Sequence, residues 1–552
     1  MADLEKTTVK ATSLPTSSVE HGVGNVGPLR EYVGESSAAA NSGQLHRKFK
    51  ARHVQMIALA GNIGSGVFIS IGAALQVGGA PGILIGYPLI CVMAIAMLTV
   101  LGEAVCLFPT SGSFIDHASR FVDPALGFAI GFCEWFGALT VVAAEGAVFP
   151  VIISYWTTEI PAAALMTIYL VVVYAFHLMP NRWFAEFEFC TGAVKVVTMA
   201  IVLLTSVAIV AGAGPTGRTS GWGANYNGEL PVFPNGFRGV ARVFLYASWA
   251  TGGQEILGIA AGEAKMPRYD MPRASINLFI RIILIFGSSC VLVSVMVPYN
   301  EPLLLNTSNV AASPFVIAMG YAGIKVLPDI INVVLLICLC CIGSESIFIA
   351  SRIQTAMSKM GMFPAIFGRV DTKGRPMISL ISCFLIATAM TYMCVSTTGA
   401  IAFNWFSSIS ATTTFFAWMV IPVTNWCMHR AIKAQNDPAF SLAYANKNRF
   451  WPSESIFLFV STLFTFACTF YVSVIPDSGS PSASTFFETM LCFPVFIVAY
   501  LGYKLWFRTK IQNPKTADLV SGRRELNEEE LEFLDKYYGQ PMWRRVLSYV
   551  RF

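Results

Sequence analysis

In the stretch Gly61-Asn62-Ile63-Gly64-Ser65-Gly66, the triplet Gly64-Ser65-Gly66 interrupts the first long apolar run of the chain, His53 to Leu75. Glycine inside a helix exposes backbone and fixes the least conformation. In a segment crossing lipid, freed N–H and C=O groups persist only where something other than lipid meets them. A second stretch of this kind, Trp249-Ala250-Thr251-Gly252-Gly253-Gln254-Glu255, interrupts the sixth apolar run, Phe237 to Ala261. Two interrupted segments at matching places in two halves of a membrane chain point to the binding site of a carrier. Close packing of small residues between helices is the alternative at either break alone; the pair favours a site.

The rest of the chain agrees with a membrane setting. Of 552 residues, 55% are apolar and 12% charged, with mean hydropathy +0.60. Soluble domains carry about a quarter charged residues. Apolar runs long enough to cross roughly 30 Å of hydrocarbon are centred near residues 66, 95, 139, 170, 199, 249, 287, 340, 387, 413, 465 and 497. These predict an all-α membrane protein with twelve transmembrane helices in a lipid bilayer. The net charge of +5 gives no reason to expect a nucleic acid partner.

Residues 1–44 are polar, rich in Ser, Thr and Gly, and lack the apolar core of a cleavable signal, so they read as a disordered tail. Residues 45–510 read as one twelve-span domain and residues 511–552 as a second tail, with acidic, helix-prone Glu525–Lys536 ended by Gly539-Gln540-Pro541. His46-Arg47-Lys48 and Lys50-Ala51-Arg52 precede the first run and mark the cytoplasmic side. Alternate loops then carry Arg120, Arg182, Lys265, Arg268, Arg273, Arg352, Lys359, Arg369, Lys373, Arg375, Arg430, Lys433, Lys447 and Arg449, which puts both termini in the cytoplasm. The sequon Asn306-Thr307-Ser308 falls on the opposite side.

Within the breaks, a half-helix starting at Ser65-Gly66 offers unpaired N–H groups and a positive dipole end to a carboxylate, and Ser65 a hydroxyl. The half-helix ending at Trp249–Thr251 offers carbonyls to an ammonium. An anion end and a cation end in one site describe an α-amino acid. Glu103, Glu134, Glu145, Lys195, Glu255 and Glu345 lie in or near apolar runs, where an ionised group costs about 2.5–3.5 kcal/mol on insertion scales and needs a partner or a wet cavity. Glu134 and Glu145, close to three helical turns apart, share a face of the third run; Glu103 reads as a span-end residue meeting headgroups. Lys195 suits either a titrating amine that couples a proton to substrate movement or an ion-pair partner for a glutamate. Cys338-Leu339-Cys340-Cys341, Trp405 and Trp418 read as packing, and His53 and His429 as bystanders. No nucleophile–base pair, phosphate loop or zinc spacing stands out, so no enzyme activity, metal or cofactor is expected.

Several stretches in order resemble the fungal amino acid permeases of the amino acid–polyamine–organocation superfamily. They are Leu45-His46-Arg47 with Lys50–Ala58 and the Gly61–Gly66 break; Gly262-Glu263, Pro267-Arg268 and Pro272-Arg273-Ala274; Ser313-Pro314-Phe315 and Ala322–Pro328; Ala350-Ser351-Arg352; Phe403–Phe406; and Ser521–Glu525. The resemblance implies a leucine-transporter-like fold, a 5+5 inverted repeat with two additional helices. It implies a secondary carrier of the plasma membrane that imports amino acids with protons. The resemblance carries the family's site motifs onto Gly64, Ser65 and Gly66, onto Gly253, Gln254 and Glu255, and onto Glu145 and Lys195. Together with the breaks read above, the expected substrate set is Asn62, Ile63, Gly64, Ser65, Gly66, Glu145, Trp249, Thr251, Gly252, Gly253 and Glu345, with Lys195 and Glu255 in proton coupling. Ubiquitin-ligase and trafficking machinery acting on the tails is a further implied partner. The chain departs from the family at Asn62, often Thr; at Thr251, an aromatic gate; at Glu134, usually aromatic; and at Glu345, usually small and polar. The two extra acids favour cationic cargo such as lysine, arginine or a polyamine. A transport-inactive amino acid sensor and residence in the vacuole or another endomembrane are the alternatives.

Overall fold

The computed structural model describes residues 63–545, apart from 111, 180, 217–221, 256, 260–265, 306–312, 372–373, 397–398, 443, 477–479, 525 and 542. Asn62, His53, the basic cluster at 46–52, the sequon at Asn306 and Gly262-Glu263 lie outside the described residues. A chain this apolar must satisfy its backbone within each segment, and among the described residues it does so with helices alone.

Helix α1, Gly66–Leu107, opens with a π-helical stretch, Gly66–Ser70, and is kinked at Gly79. Gly79 has φ +68°, and a Cβ there would meet Pro234 Cδ at 2.8 Å, so only glycine suits this turn. A short α2, Ser113–Phe121, precedes α3, Pro124–Ile153, whose N-terminus is capped by Asp123. Then come α4, Ala162–Leu178, α5, Asn181–Val210, and α6, Gly236–Thr251. Helix α7 comprises Pro267–Arg281 continued through Ile282–Met296. Helices α8, Val326–Lys359, α9, Met377–Met393, α10, Gly399–Gln435, and α11, Ser453–Val474, follow. Helix α12 joins Ala483–Met490 to Cys492–Phe507 with a bend of 62°, and α13, Glu528–Tyr538, lies in the C-terminal tail.

All twelve expected centres fall in helix, and the all-α membrane class stands. Seven described helices are long and apolar enough to cross a bilayer, or eight with the bent pair. The shortfall from twelve has local causes: the first two runs share α1, the sixth stops at its break, and α4 is a shorter apolar helix. Helix α3 packs against α8 and α10, α5 packs against α8, and α1 packs along α6; these contacts bring the third, fifth and eighth runs to the breaks.

One end of the bundle differs from expectation. Glu103 does not reach headgroups: it is fully buried. Its Oε2 accepts from Asn425 Nδ2 at 2.8 Å and pairs with His429 Nε2 at 2.9 Å, and its Oε1 accepts from the Asn448 N–H at 3.0 Å. His429 is therefore no bystander; it also stacks on Trp451, ring centroids 4.2 Å apart. A buried carboxylate persists here because both of its oxygens meet polar partners. Arg352 is likewise no loop cation. It is buried on α8 with its guanidinium 3.8 Å from the centre of the Phe348 ring.

The C-terminal tail docks on this end. Gln512 N–H donates to Val122 O at 2.8 Å, Arg120 donates to Ser521 O, and Arg523 pairs with Asp437 at 2.9 Å. A capping box between Asn527 and Glu530 starts α13, as that motif does where Asn precedes an acid by three positions. Phe533 and Tyr537 of α13 pack edge-on against Tyr269, and Tyr538 stacks on Tyr444.

Candidate substrate site between two broken segments

The first break is a helix start. Ile63 is non-helical, Gly64 bends, and Gly64 O accepts from Val67 N–H and Phe68 N–H, both at 3.1 Å. The N–H groups of Ser65 and Gly66 precede that first closure, and among the described residues no helical carbonyl meets them. A Cβ on Gly66 would lie 2.6 Å from Ala250 Cα, and one on Gly64 would meet Ile342 Cδ1 at 2.2 Å. Glycine is needed here because α6 and α8 press directly on this backbone.

The second break is a helix end. Helix α6 stops at Thr251; Gly252 is extended (φ −64°, ψ 176°), where a Cβ would press on Ser248 O at 2.6 Å, and Gly253 is left-handed (φ +78°), a conformation glycine takes cheaply. The carbonyls at this end are partly occupied. Ala247 O accepts from Thr251 Oγ1 at 2.8 Å, Ser248 O from Gly252 N–H at 2.7 Å, and Thr251 O from Gln254 Nε2 at 2.9 Å. Among the described residues, the carbonyls of Trp249 and Ala250 at this end accept from no loop or cap donor. Trp249 packs edge-on to Phe403, and its buried indole N–H has no hydrogen-bond partner among the described residues.

Because Ala250 lies on Gly66, the two breaks meet. Around them stand the ionisable groups. Glu145 is fully buried; its Oε1 accepts from Ser65 Oγ at 2.6 Å, and its Oε2 has no partner among the described residues. The Ser65 hydroxyl is therefore engaged by Glu145 here rather than left open. Glu255 Oε2 accepts from Trp418 Nε1 at 3.1 Å, which takes Trp418 out of mere packing. Glu134 stands within reach of the Glu255 charge, so the shared face of α3 addresses the first break through Glu145 and the second through Glu134.

Lys195 is 1% exposed and donates to Cys341 Sγ at 2.9 Å, and Cys341 donates to Glu188 Oε2 at 3.0 Å. Cys341 is thus a bridge between a buried amine and a buried carboxylate, not inert filling. Glu345 lies within reach of the charges of both Lys195 and Arg281. Sequence reading overlooked Glu188 and Arg281 altogether. A signal existed for both: an acid and a cation set within apolar runs, where charge is costly.

The sequence model of the family described as Amino acid permease matches residues 53–515. The chain belongs to the amino acid permease family. It is 35% identical to the general amino-acid permease GAP2 of Candida albicans, over 92% of this chain and 87% of that protein. It is 34% identical to the general amino-acid permease GAP1 of Saccharomyces cerevisiae, over 92% and 86%. Cationic amino acid transporter 1 of Schizosaccharomyces pombe is 31% identical, over 88% and 84%. Among solved structures, a manganese transporter of Eremococcus coleocola covers 86% of this chain and is itself 99% covered, with a TM-score of 0.49 and 14% identity. As a member of that family, this permease is a multi-pass membrane transporter rather than an enzyme.

Proposed function

We propose that this permease imports amino acids across the plasma membrane by proton symport, with both termini in the cytoplasm. The substrate carboxylate docks on the Ser65 and Gly66 N–H groups, and its ammonium on the Trp249–Ala250 carbonyls. Ile63, Gly64, Thr251, Gly252 and Gly253 shape the backbone around it. The observation that carries the reading is the meeting of a helix start and a helix end at Gly66 and Ala250. Opposite dipole ends facing each other suit a zwitterion.

Proton coupling runs through Lys195, its thiol bridge to Glu188, and Glu145 and Glu255, each with a direct polar partner at or beside the breaks. Neutral rather than cationic amino acids are the proposed cargo. Of the two extra acids, Glu345 lies within reach of the charges of Lys195 and Arg281. That leaves Glu134, whose Oε1 has no partner among the described residues, as the one acid that would favour a cation. The test is uptake by the purified chain in liposomes with an imposed pH gradient, beside Lys195→Ala. Accumulation of L-leucine or L-glutamine that needs the gradient, and is lost in Lys195→Ala, is expected. Gradient-independent uptake unaffected by Lys195→Ala refutes proton coupling. Preference for L-arginine or spermidine refutes the neutral cargo, and amino acid binding without accumulation refutes transport in favour of sensing.

A further inference from the structure

Two consecutive glycines are the loosest joint a backbone has, and ordering them costs more entropy than any other pair. The joint at Gly252-Gly253 nonetheless holds one conformation, extended then left-handed, at the point where substrate is to bind. Something must brace it, and one side chain reaches across to do so.

Gln254, 3% exposed, folds back from the far side of the joint. Its Nε2 donates to Thr251 O at 2.9 Å, and its Oε1 accepts from Arg281 Nη2 at 2.5 Å. The two partners fix the amide orientation, since a carbonyl accepts only and a guanidinium donates only. Arg281 is itself 1% exposed, rooted in α7, and its Nε has no partner among the described residues. A buried cation at this depth is costly; Glu345, within reach of its charge, offsets that cost.

We propose that Arg281 is a positioning residue for amino acid binding: through Gln254 it clamps the Gly252-Gly253 joint and so orients the carbonyls of the second break toward the substrate ammonium. The proposal rests on the substrate lying between the breaks. Arg281 touches no substrate; it acts by holding the break ready before binding, so that substrate need not order it. Arg suits this because its rigid planar fork holds a direction that the flexible ammonium of Lys does not. The clamp also removes the Thr251 carbonyl from the set available to substrate, which confines the ammonium to Trp249 and Ala250.

The test compares Gln254→Leu and Arg281→Lys with the wild-type chain, full length and purified. Binding of radiolabelled L-leucine, L-glutamine and L-arginine is measured in detergent by scintillation proximity, and uptake in liposomes gives KM and maximal rate separately. Gln254→Leu, near the original volume but unable to brace, weakens binding and raises KM about tenfold with maximal rate within twofold; Arg281→Lys falls between. Half-saturation unchanged in both variants, even with lowered melting temperature, overturns the proposal, since a purely structural brace moves stability alone. Wild-type binding without uptake sinks the transport reading and leaves the comparison of binding constants to decide this one.

Discussion

Glu103→Gln isolates one buried carboxylate that keeps an end of the bundle together. Glu103 meets donors on both oxygens: Asn425 and His429 on Oε2, the Asn448 N–H on Oε1. Glutamine keeps the shape but has one acceptor and one amide N–H2, so in either orientation a donor is turned on a donor. An orphaned buried donor costs about 1–3 kcal/mol, and losing a charge-assisted bond about 1.5–3 kcal/mol. With partial relaxation the loss is about 2–4 kcal/mol, a few degrees of apparent melting temperature for a chain this long. The assay is thermal unfolding in detergent followed by fluorescence-detected size exclusion, with an exposed Glu159→Gln as control. Hydrogen exchange at residues 446–448 should rise together with the loss of stability, because their anchor is the carboxylate. A Glu103→Gln chain that melts within a degree of wild type, with 446–448 still protected, refutes the reasoning.

Gly66→Ala places a Cβ 2.6 Å from Ala250 Cα, where backbone faces backbone and neither side chain can turn away. Uptake should fall at least a hundredfold while the chain still reaches the membrane; uptake within twofold of wild type contradicts the contact. Trp418→Phe removes the indole donor from Glu255 Oε2, at about 1–2 kcal/mol, and should reduce uptake about tenfold. Unchanged uptake would return Trp418 to packing. Burial alone would raise Asp518 in the docked tail, but the Ser521 hydroxyl and the N–H groups of Ser521 and Val520 hold it below its ordinary 3.8. Its contribution is therefore complete above pH 3.8 and lost as pH falls below it. Hydrogen exchange at residues 516–524 should stay flat from pH 8 to pH 5 and rise only in that acidic window; opening between pH 7 and 5 contradicts the assignment.

What the sequence disclosed follows from what is local. Two glycines inside an apolar run announce a break because their cost is paid residue by residue, so Gly252-Gly253 was legible. That Glu134 and Glu145 share a face of α3 was legible from the helical period, whereas the hydrogen bond from Ser65 to Glu145 was not. Partners brought together only by folding were not. Glu103 and Asn448 are far apart in the chain, and nothing near Glu103 distinguishes a capped acid from a span-end acid. Cys341 was hidden by its own neighbours, since a run of cysteines in an apolar helix looks like packing until Lys195 and Glu188 are seen on either side of one of them. Arg281 stands within an apolar run, which signals a buried cation, but nothing near it in the chain names Gln254 as its partner. The shared helix α1 was invisible for a related reason: a single left-handed glycine at position 79 ends one run and begins another, where a longer polar connection was the natural expectation.

The most direct measurement of the central claim is a cryo-electron microscopy map of the full chain in lipid nanodiscs with saturating L-leucine or L-glutamine. The account predicts density for one amino acid between the Ser65-Gly66 N–H groups and the Trp249–Ala250 carbonyls, with the joint at Gly252-Gly253 still unwound. Substrate density elsewhere, or a helix running unbroken through Gly252 with Gly66 against Ala250 and no ligand between, would contradict it.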